Sequence, residues 1–204
     1  IRGYAELYRI GGLGQQAALD DAMRRTEQEA TRMGRLVEDM LVLAKFDEQR
    51  PLDLRHVDLV ALACDAAADA RARAQERSIT FDAAIGTAIV NGDEDRLRQV
   101  VGNVLSNAIV HTEPSVPISI SIRRSNGDIV LEVADDGPGM PAEVAARVTE
   151  RFFRADPARA RNRGGSGLGL SIVDAAVSAH GGLVEIDSVE GHGTTVRLVL
   201  PAAI

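Results

Sequence analysis

The chain has 204 residues, enough for one large domain or two small ones, and its 45% apolar and 26% charged content excludes collagen-like, low-complexity and wholly disordered readings. With 30 acids against 23 bases the net charge is −7, and with 2 Tyr, 4 Phe and no Trp neither electrostatic capture of nucleic acid nor a base-stacking platform is expected. One cysteine, Cys64, excludes an internal disulfide framework and a cysteine metal cluster, and with no membrane-length apolar run and no signal peptide the chain reads as cytosolic.

Ile1, Tyr4, Ala5, Leu7 and Tyr8 recur at helical spacing with no capping residue ahead of them, so the chain is expected to begin inside a helix that Gly11, Gly12 and Gly14 end. A second helix is predicted over 17–47, its stripe running through Leu19, Met23, Ala30, Met33, Val37, Met40 and Ala44. About 30 residues at 1.5 Å each give roughly 45 Å. A short and a long helix with apolar faces point to an αα-hairpin that dimerises into a four-helix bundle; the bland alternative is a long helix lying on its own globular domain.

Pro51 closes that helix. Leu52, Leu54 and Val57 suggest a short strand. A helix is predicted over 58–77, with Leu59, Leu62, Ala63, Ala66, Ala67, Ala70 and Ala74 on one face, and strands over 78–85 and 87–90. Asp93 opens a third major helix, reaching His111, with Glu94 and Asp95 in its first turn. Alternation at Ile118, Ile120 and Ile122, the Asn126-Gly127 turn signal, and alternation at Ile129, Leu131 and Val133 predict a hairpin. A Gly-, Pro- and Arg-rich stretch runs to Ser166. A helix follows over 168–180, closed by Gly181-Gly182, and then a strand pair over 183–187 and 194–200.

Three local signals carry chemistry. On the helix over 93–111, Leu97, Val100, Val101, Val104, Leu105, Ala108 and Ile109 form an apolar face, and Gln99, Asn103, Asn107 and His111 step by four beside it. Asparagine is a poor helix former, so this stripe suggests a pocket lining: amide oxygens suit Mg²⁺ and amide NH₂ groups can donate to phosphate. The alternative is a solvated stripe. Asp135-Asp136-Gly137-Pro138-Gly139 follows a strand end, where a carboxylate can accept from an exocyclic amine and glycines admit a flat ring; it is equally good turn chemistry. Gly164-Gly165-Ser166-Gly167-Leu168-Gly169-Leu170 opens a helix, where free amides make a phosphate site; it is neither a Rossmann fingerprint nor a Walker loop, and it could be a hinge. The only lysine is Lys45, so a phosphate site here must use arginine, histidine, backbone amides or a metal.

Together, in this order, the blocks resemble a known family. RLRQVVGNVLSNAIVHT is similar to the N box of sensor histidine kinases, DDGPGM to their G1 box, ERFFR to the F box, GGSGLGLSIV with AHGG to the G2 box, and GHGTTVRLVLP to their last strand segment. IRGYAEL resembles the stretch after the phospho-acceptor H box. The resemblance implies an α+β chain: an N-terminal antiparallel helical hairpin (1–50, part of a dimerisation and phosphotransfer bundle), then an α/β two-layer sandwich with a mixed sheet (51–204), the Bergerat or GHKL ATPase fold.

The resemblance also implies roles. Asn103 would ligate Mg²⁺ and Asn107 touch phosphate. Asp135 would accept from the adenine amine, Gly137 and Gly139 would line the ring pocket, and Thr194 would reach the base through water. Gly165, Gly167, Leu168 and Gly169 would offer backbone to the phosphates of ATP. Residues 140–165 would form the ATP lid, anchored by Phe152 and Phe153. Val110 and His111 stand where relatives carry a base and Tyr, so His111, and Arg154 with Arg159 or Arg163, are expected to supply the missing charge. Thr149 replaces a usual F-box phenylalanine. Gln99 stands where hydrolysing relatives have glutamate, so slow ATP hydrolysis is expected.

His56, His180 and His192 lack an H-box context: strand-like, at a helix end favoured by the dipole, and in a Gly-flanked turn. The acceptor histidine is expected upstream of Ile1, so this chain should bind Mg-ATP without phosphorylating itself. The implied parent is a membrane-anchored homodimeric kinase that passes the phosphoryl group to a response regulator aspartate. A nucleotide-gated pseudokinase is the alternative, and a hydrolytic or serine-directed relative a third; the long helix after IRGYAEL argues against the third.

Overall fold

The computed structural model describes residues 1–10, 16–47, 51–154 and 167–203, apart from the side chains at 45 and 47. It divides into two compact units, Ile1–Val42 and Leu43–Ile204. In the first, α1 (Arg2–Arg9) has none of its residues buried, while α2 (Gln16–Asp47) begins there and buries Ala22. Arg25 Nη1 lies 3.5 Å from Tyr4 Oη, bringing the two helices side by side. Large apolar side chains remain in solvent on both: Leu7, Tyr8 and Ile10, and Met23, Met33, Val37 and Met40.

The second unit begins with the end of α2, where Leu43 is buried and the Phe46 ring lies 5.6 Å under the Arg96 guanidinium. Then come β1 (Arg55–Asp58), α3 (Leu59–Arg73), β2 (Ile79–Ala83), β3 (Ile89–Gly92), α4 (Glu94–His111), β4 (Ile118–Ser125), β5 (Asp128–Asp135), α5 (Ala142–Ala145), α6 (Gly169–Ala179), β6 (Leu183–Val189) and β7 (Gly193–Pro201). Five strands make one sheet in the order β2-β4-β5-β7-β6, with β2 parallel to β4 and every other pair antiparallel. β1 and β3 pair separately as an antiparallel ribbon.

Local chemistry explains most boundaries. Asp58 and Asp93 cap their helices: Asp58 Oδ1 accepts from Val60 N at 3.0 Å and Asp93 Oδ1 from Arg96 N at 3.2 Å. The Asn126-Gly127 turn takes φ of 53° and 94°, the mirror-image conformation that joins twisted antiparallel strands. The predicted alternation sends Ile118, Ile120, Ile122, Ile129 and Leu131 inward, each at most 1% exposed, and each such burial is worth about 1.5–3 kcal/mol. α4 packs between α3 and α6, and its Leu97, Val100, Val101, Val104 and Leu105 join this core. The other sheet face is polar: Arg197 on β7 ion-pairs with Glu132 on β5 at 2.7 Å and with Asp187 on β6. The result is the expected α+β architecture, a mixed sheet with helices on one face.

Three expectations shift. The first strand starts at Arg55, leaving Leu54 exposed ahead of it. α3 stops at Arg73, because the chain turns where Arg77 N donates to Ala74 O at 2.9 Å, which delivers the Arg77 side chain to the interior. His180, expected only as a helix-end residue, also ties that end to the start of α4: Nδ1 sits 2.7 Å from Ala176 O and Nε2 accepts from Asp93 N at 3.0 Å. Among the described residues, no helix is long and apolar enough to cross a membrane.

Candidate functional site

α4 organises the site. With its apolar face in the core, Gln99, Asn103 and Asn107 come out half-buried and His111 exposed. Asn103 Nδ2 donates to Gly169 O, 3.4 Å away at the start of α6, so the carboxamide lies beside the glycine-rich helix opening. The amides of Gly169, Leu170 and Ser171 open α6 without intrahelical partners, a partial positive charge suited to an anion. Leu168, wholly buried, accepts from Ile172 N and from Ser171 Oγ, both at 2.9 Å, and so fixes the first turn.

Asp135 ends β5 between Ile118 of β4 and Thr194 of β7. Its Oδ1 accepts from Gly137 N at 2.9 Å, and the Thr194 amide also bonds the carboxylate. Burial pushes its pKa above the ordinary aspartate range; the two amides and the positive charge of Arg77 pull the other way, and the neighbouring Asp136 adds to the rise. The loop after Asp135 is latched to the turn between β6 and β7: Gly191 N donates to Pro138 O at 2.7 Å and Met140 N to Ser188 Oγ at 2.9 Å. Ser188 Oγ also lies 3.0 Å from Gly193 O and 2.9 Å from Thr194 Oγ1. Gly139, at φ 61°, rests directly on the Val189 and Gly193 carbonyls.

Gly167 lies against Phe152, Phe153 and Arg154, and its carbonyl accepts from Phe152 N at 3.0 Å. Arg154 is half-buried, and its Nη2 is enclosed with no hydrogen-bond partner among the described residues. A buried guanidinium nitrogen is stabilised by an acceptor, and an anion is one. Phe153 is half-buried under the Arg147 guanidinium, 4.5 Å from its ring centre. Phe152 corrects an expectation. Its backbone adopts φ 63°, which turns the ring outward to 54% exposure, so it anchors this segment through its amide and not its side chain.

Two contacts of α4 tie the pieces together: Asn103 reaches Gly169, and Thr112 at the end of the helix packs its methyl on Gly137. Gly165, Arg159 and Arg163 lie outside the described residues. Among those described, no three His, Cys, Asp or Glu side chains cluster as a metal cage. A divalent cation here would draw on the Asn103 amide oxygen and on ligand phosphates, the way Mg²⁺ is commonly held. Glycines where a ligand must approach closely, the enclosed Arg154 Nη2 and helix-opening amides fit a nucleotide triphosphate. Sequence reasoning missed Ser188, which is half-buried, and Thr112 and Arg77, which are buried. A separate depression of about 190 Å³ between α3 and α4, walled by Ala66, Ala70, Gly102 and Ser106, contains none of the predicted residues.

Residues 92–204, more than half the chain, match the family model described as "Histidine kinase-, DNA gyrase B-, and HSP90-like ATPase". The chain is 43% identical over 202 residues to "Probable sensor histidine kinase TcrY" of Mycobacterium tuberculosis, covering 98% of this chain and 42% of that protein. It is 34% identical over 198 residues to "Sensor histidine kinase YkoH" of Bacillus subtilis, covering 97% and 43%. The chain thus spans about two fifths of the curated relatives it matches. Among solved structures, full-length ShkA in complex with AMPPNP superposes with TM-score 0.77 at 28% identity, over 93% of this chain and 39% of that one. The mycobacterial sensor histidine kinase MprB gives TM-score 0.64 at 30% identity, over 73% and 97%.

Proposed function

The chain belongs to the histidine kinase-, DNA gyrase B- and HSP90-like ATPase family, as a histidine kinase catalytic core, and from that premise we propose that it binds Mg-ATP in the site organised by α4. The observation that carries this is the double reach of α4, from Asn103 to the opening of α6 and from Thr112 to the Asp135 loop. Asp135 accepts the adenine amine, with Gly137, Gly139 and Thr194 around the base. Asn103 holds the metal, Asn107 and His111 stand along the phosphates, and the backbone of Gly165, Gly167, Leu168 and Gly169 cradles them. Mg²⁺, when bound, neutralises phosphate charge. Arg154 adds a second positive charge through its enclosed Nη2.

In the parent protein this core moves the γ-phosphoryl group to a histidine, from which a response regulator aspartate takes it. None of His56, His111, His180 and His192 is that acceptor; His180 already has both ring nitrogens engaged. The exposed apolar faces of α1 and α2 support a homodimer through these helices, with residues 1–50 proposed as dimerisation and phosphotransfer hairpin and 51–204 as catalytic domain. The parent is membrane-anchored, with this region on the cytoplasmic side.

Calorimetry with Mg-ATP tests the site. Saturable binding that Asn103→Ala and Asp135→Ala each weaken at least about tenfold is the expected outcome. Absence of binding heat in the folded chain refutes it. Acid-labile labelling of the isolated chain by ATP refutes the assignment of the acceptor elsewhere.

A further inference from the structure

Arginine is seldom buried, and Arg77 is 8% exposed. It lies beyond α3, far from the predicted site residues in sequence. Its guanidinium donates to Thr112 Oγ1, to Thr112 O at 3.1 Å, and to Ile109 O and Val116 O at 3.4 Å each. Those carbonyls lie at and just beyond the C-terminus of α4, where acceptors lack intrahelical donors and the helix dipole favours a cation. A forked, permanently charged donor suits such a cluster better than an ammonium does.

The bond to the Thr112 hydroxyl carries the consequence further. Thr112 Oγ1 donates its own hydrogen to Ala108 O at 2.6 Å. Held between Arg77 and Ala108, the hydroxyl fixes the side-chain rotamer and so determines where the methyl goes. That methyl lies directly on Gly137: a Cβ built there would collide with Thr112 Cγ2 and stand 2.6 Å from Asp135 Oδ1. Gly137 N is in turn the 2.9 Å donor to Asp135 Oδ1. An unbroken set of contacts therefore runs from Arg77 through Thr112 and Gly137 to the carboxylate.

We propose that Arg77 is a positioning residue for adenine recognition, clamping Thr112 so that Gly137 aims the Asp135 carboxylate at the 6-amino group. This rests on the reading that Asp135 receives that amine. Arg77 touches no nucleotide and acts through the end of α4. Its charge also reaches Asp135, favouring the ionised form that accepts the amine.

The test compares two ligands on the 204-residue chain by calorimetry: Mg-ATP, and the magnesium complex of purine riboside triphosphate, in which hydrogen replaces the 6-amino group. The unmodified chain is expected to prefer ATP by about ten- to a hundredfold, the worth of one hydrogen bond to a charged acceptor. Thr112→Val keeps the shape and removes the hydroxyl; Arg77→Lys keeps the charge and removes the fork. Both are expected to reduce the preference to under about threefold while binding of the deamino analogue moves less than about twofold. A general structural role would weaken both ligands alike, and that result, or an unchanged preference in a folded variant, overturns the proposal. If Arg77→Lys does not fold, Thr112→Val decides alone. If the unmodified chain binds both ligands equally, the assignment of Asp135 fails before Arg77 is in question.

Discussion

Replacing Gly139 by alanine tests whether the loop after Asp135 must lie tight against the β6–β7 turn. At φ 61° an L-residue is strained by about 1–2 kcal/mol. The added Cβ would also stand 2.7 Å from the Val189 carbonyl carbon and 2.9 Å from Gly193 O, with the Val189 oxygen nearer still. All three are backbone atoms that no rotamer change can move, so the loop must retreat by more than an ångström to bring the nearest of them to ordinary contact near 3.4 Å. Retreat stretches the Gly191–Pro138 and Met140–Ser188 hydrogen bonds, at about 1 kcal/mol each. The total is about 3–4 kcal/mol against the binding-competent loop, or Mg-ATP affinity lower by on the order of a hundredfold or more. Calorimetry reads the affinity, and urea unfolding shows whether the domain stays folded. Gly127→Ala is the control: at φ 94°, with nothing within 4 Å of its Cβ, it should lower stability by about 1–3 kcal/mol and leave affinity unchanged. If Gly139→Ala binds within about threefold of the unmodified chain, or Gly127→Ala loses as much affinity, the reasoning is refuted.

Asn103→Ala should cancel the gain in ATP affinity that magnesium brings over EDTA; a variant that keeps the full gain removes Asn103 as the metal ligand. Because burial raises the Asp135 pKa on folding, its contribution to stability is complete below the unfolded value, about pH 4, and is lost as pH rises through the folded value. Asp135→Asn should therefore melt at or above the unmodified chain at pH 7, lose that advantage in acid, and bind Mg-ATP poorly. Melting curves that separate in the opposite order count against a desolvated carboxylate. Ile120→Ala, at a position 1% exposed in the centre of the sheet, should lower unfolding stability by about 2–5 kcal/mol in urea titration, and a loss under 1 kcal/mol would contradict close packing there.

The parts of the fold legible in the sequence are those set by neighbours along the chain. Asp93 ahead of an apolar stripe marks the start of α4 wherever that helix lies, and Asn126-Gly127 marks its hairpin because the backbone conformation is local. Pairing across long separations left no such mark. That β2 runs parallel to β4, and that β1 leaves the main sheet to pair with β3, joins segments far apart along the chain. Candidate-site residues carried by compact motifs are legible: Asn103 of α4 reaches Gly169, and Thr112 at the end of α4 packs on Gly137, the donor to Asp135. Arg77 escaped notice because on paper it is one arginine among many beside Glu76, and only the turn at Ala74 sends it inward. Phe152 departs from the anchor role that the resemblance implies because nothing in its neighbours announces a left-handed backbone.

The Ser188 hydroxyl owns one hydrogen, and two acceptors lie within its reach. Given to Gly193 O, it obliges Thr194 to donate toward Ser188, and Thr194 then faces inward with lone pairs alone. Given to Thr194, it releases the threonine's own hydrogen to whatever sits beside it. The wall next to Asp135 thus reverses its polarity by a hydroxyl rotation, with every heavy atom at rest, and can match a neighbouring water in either orientation.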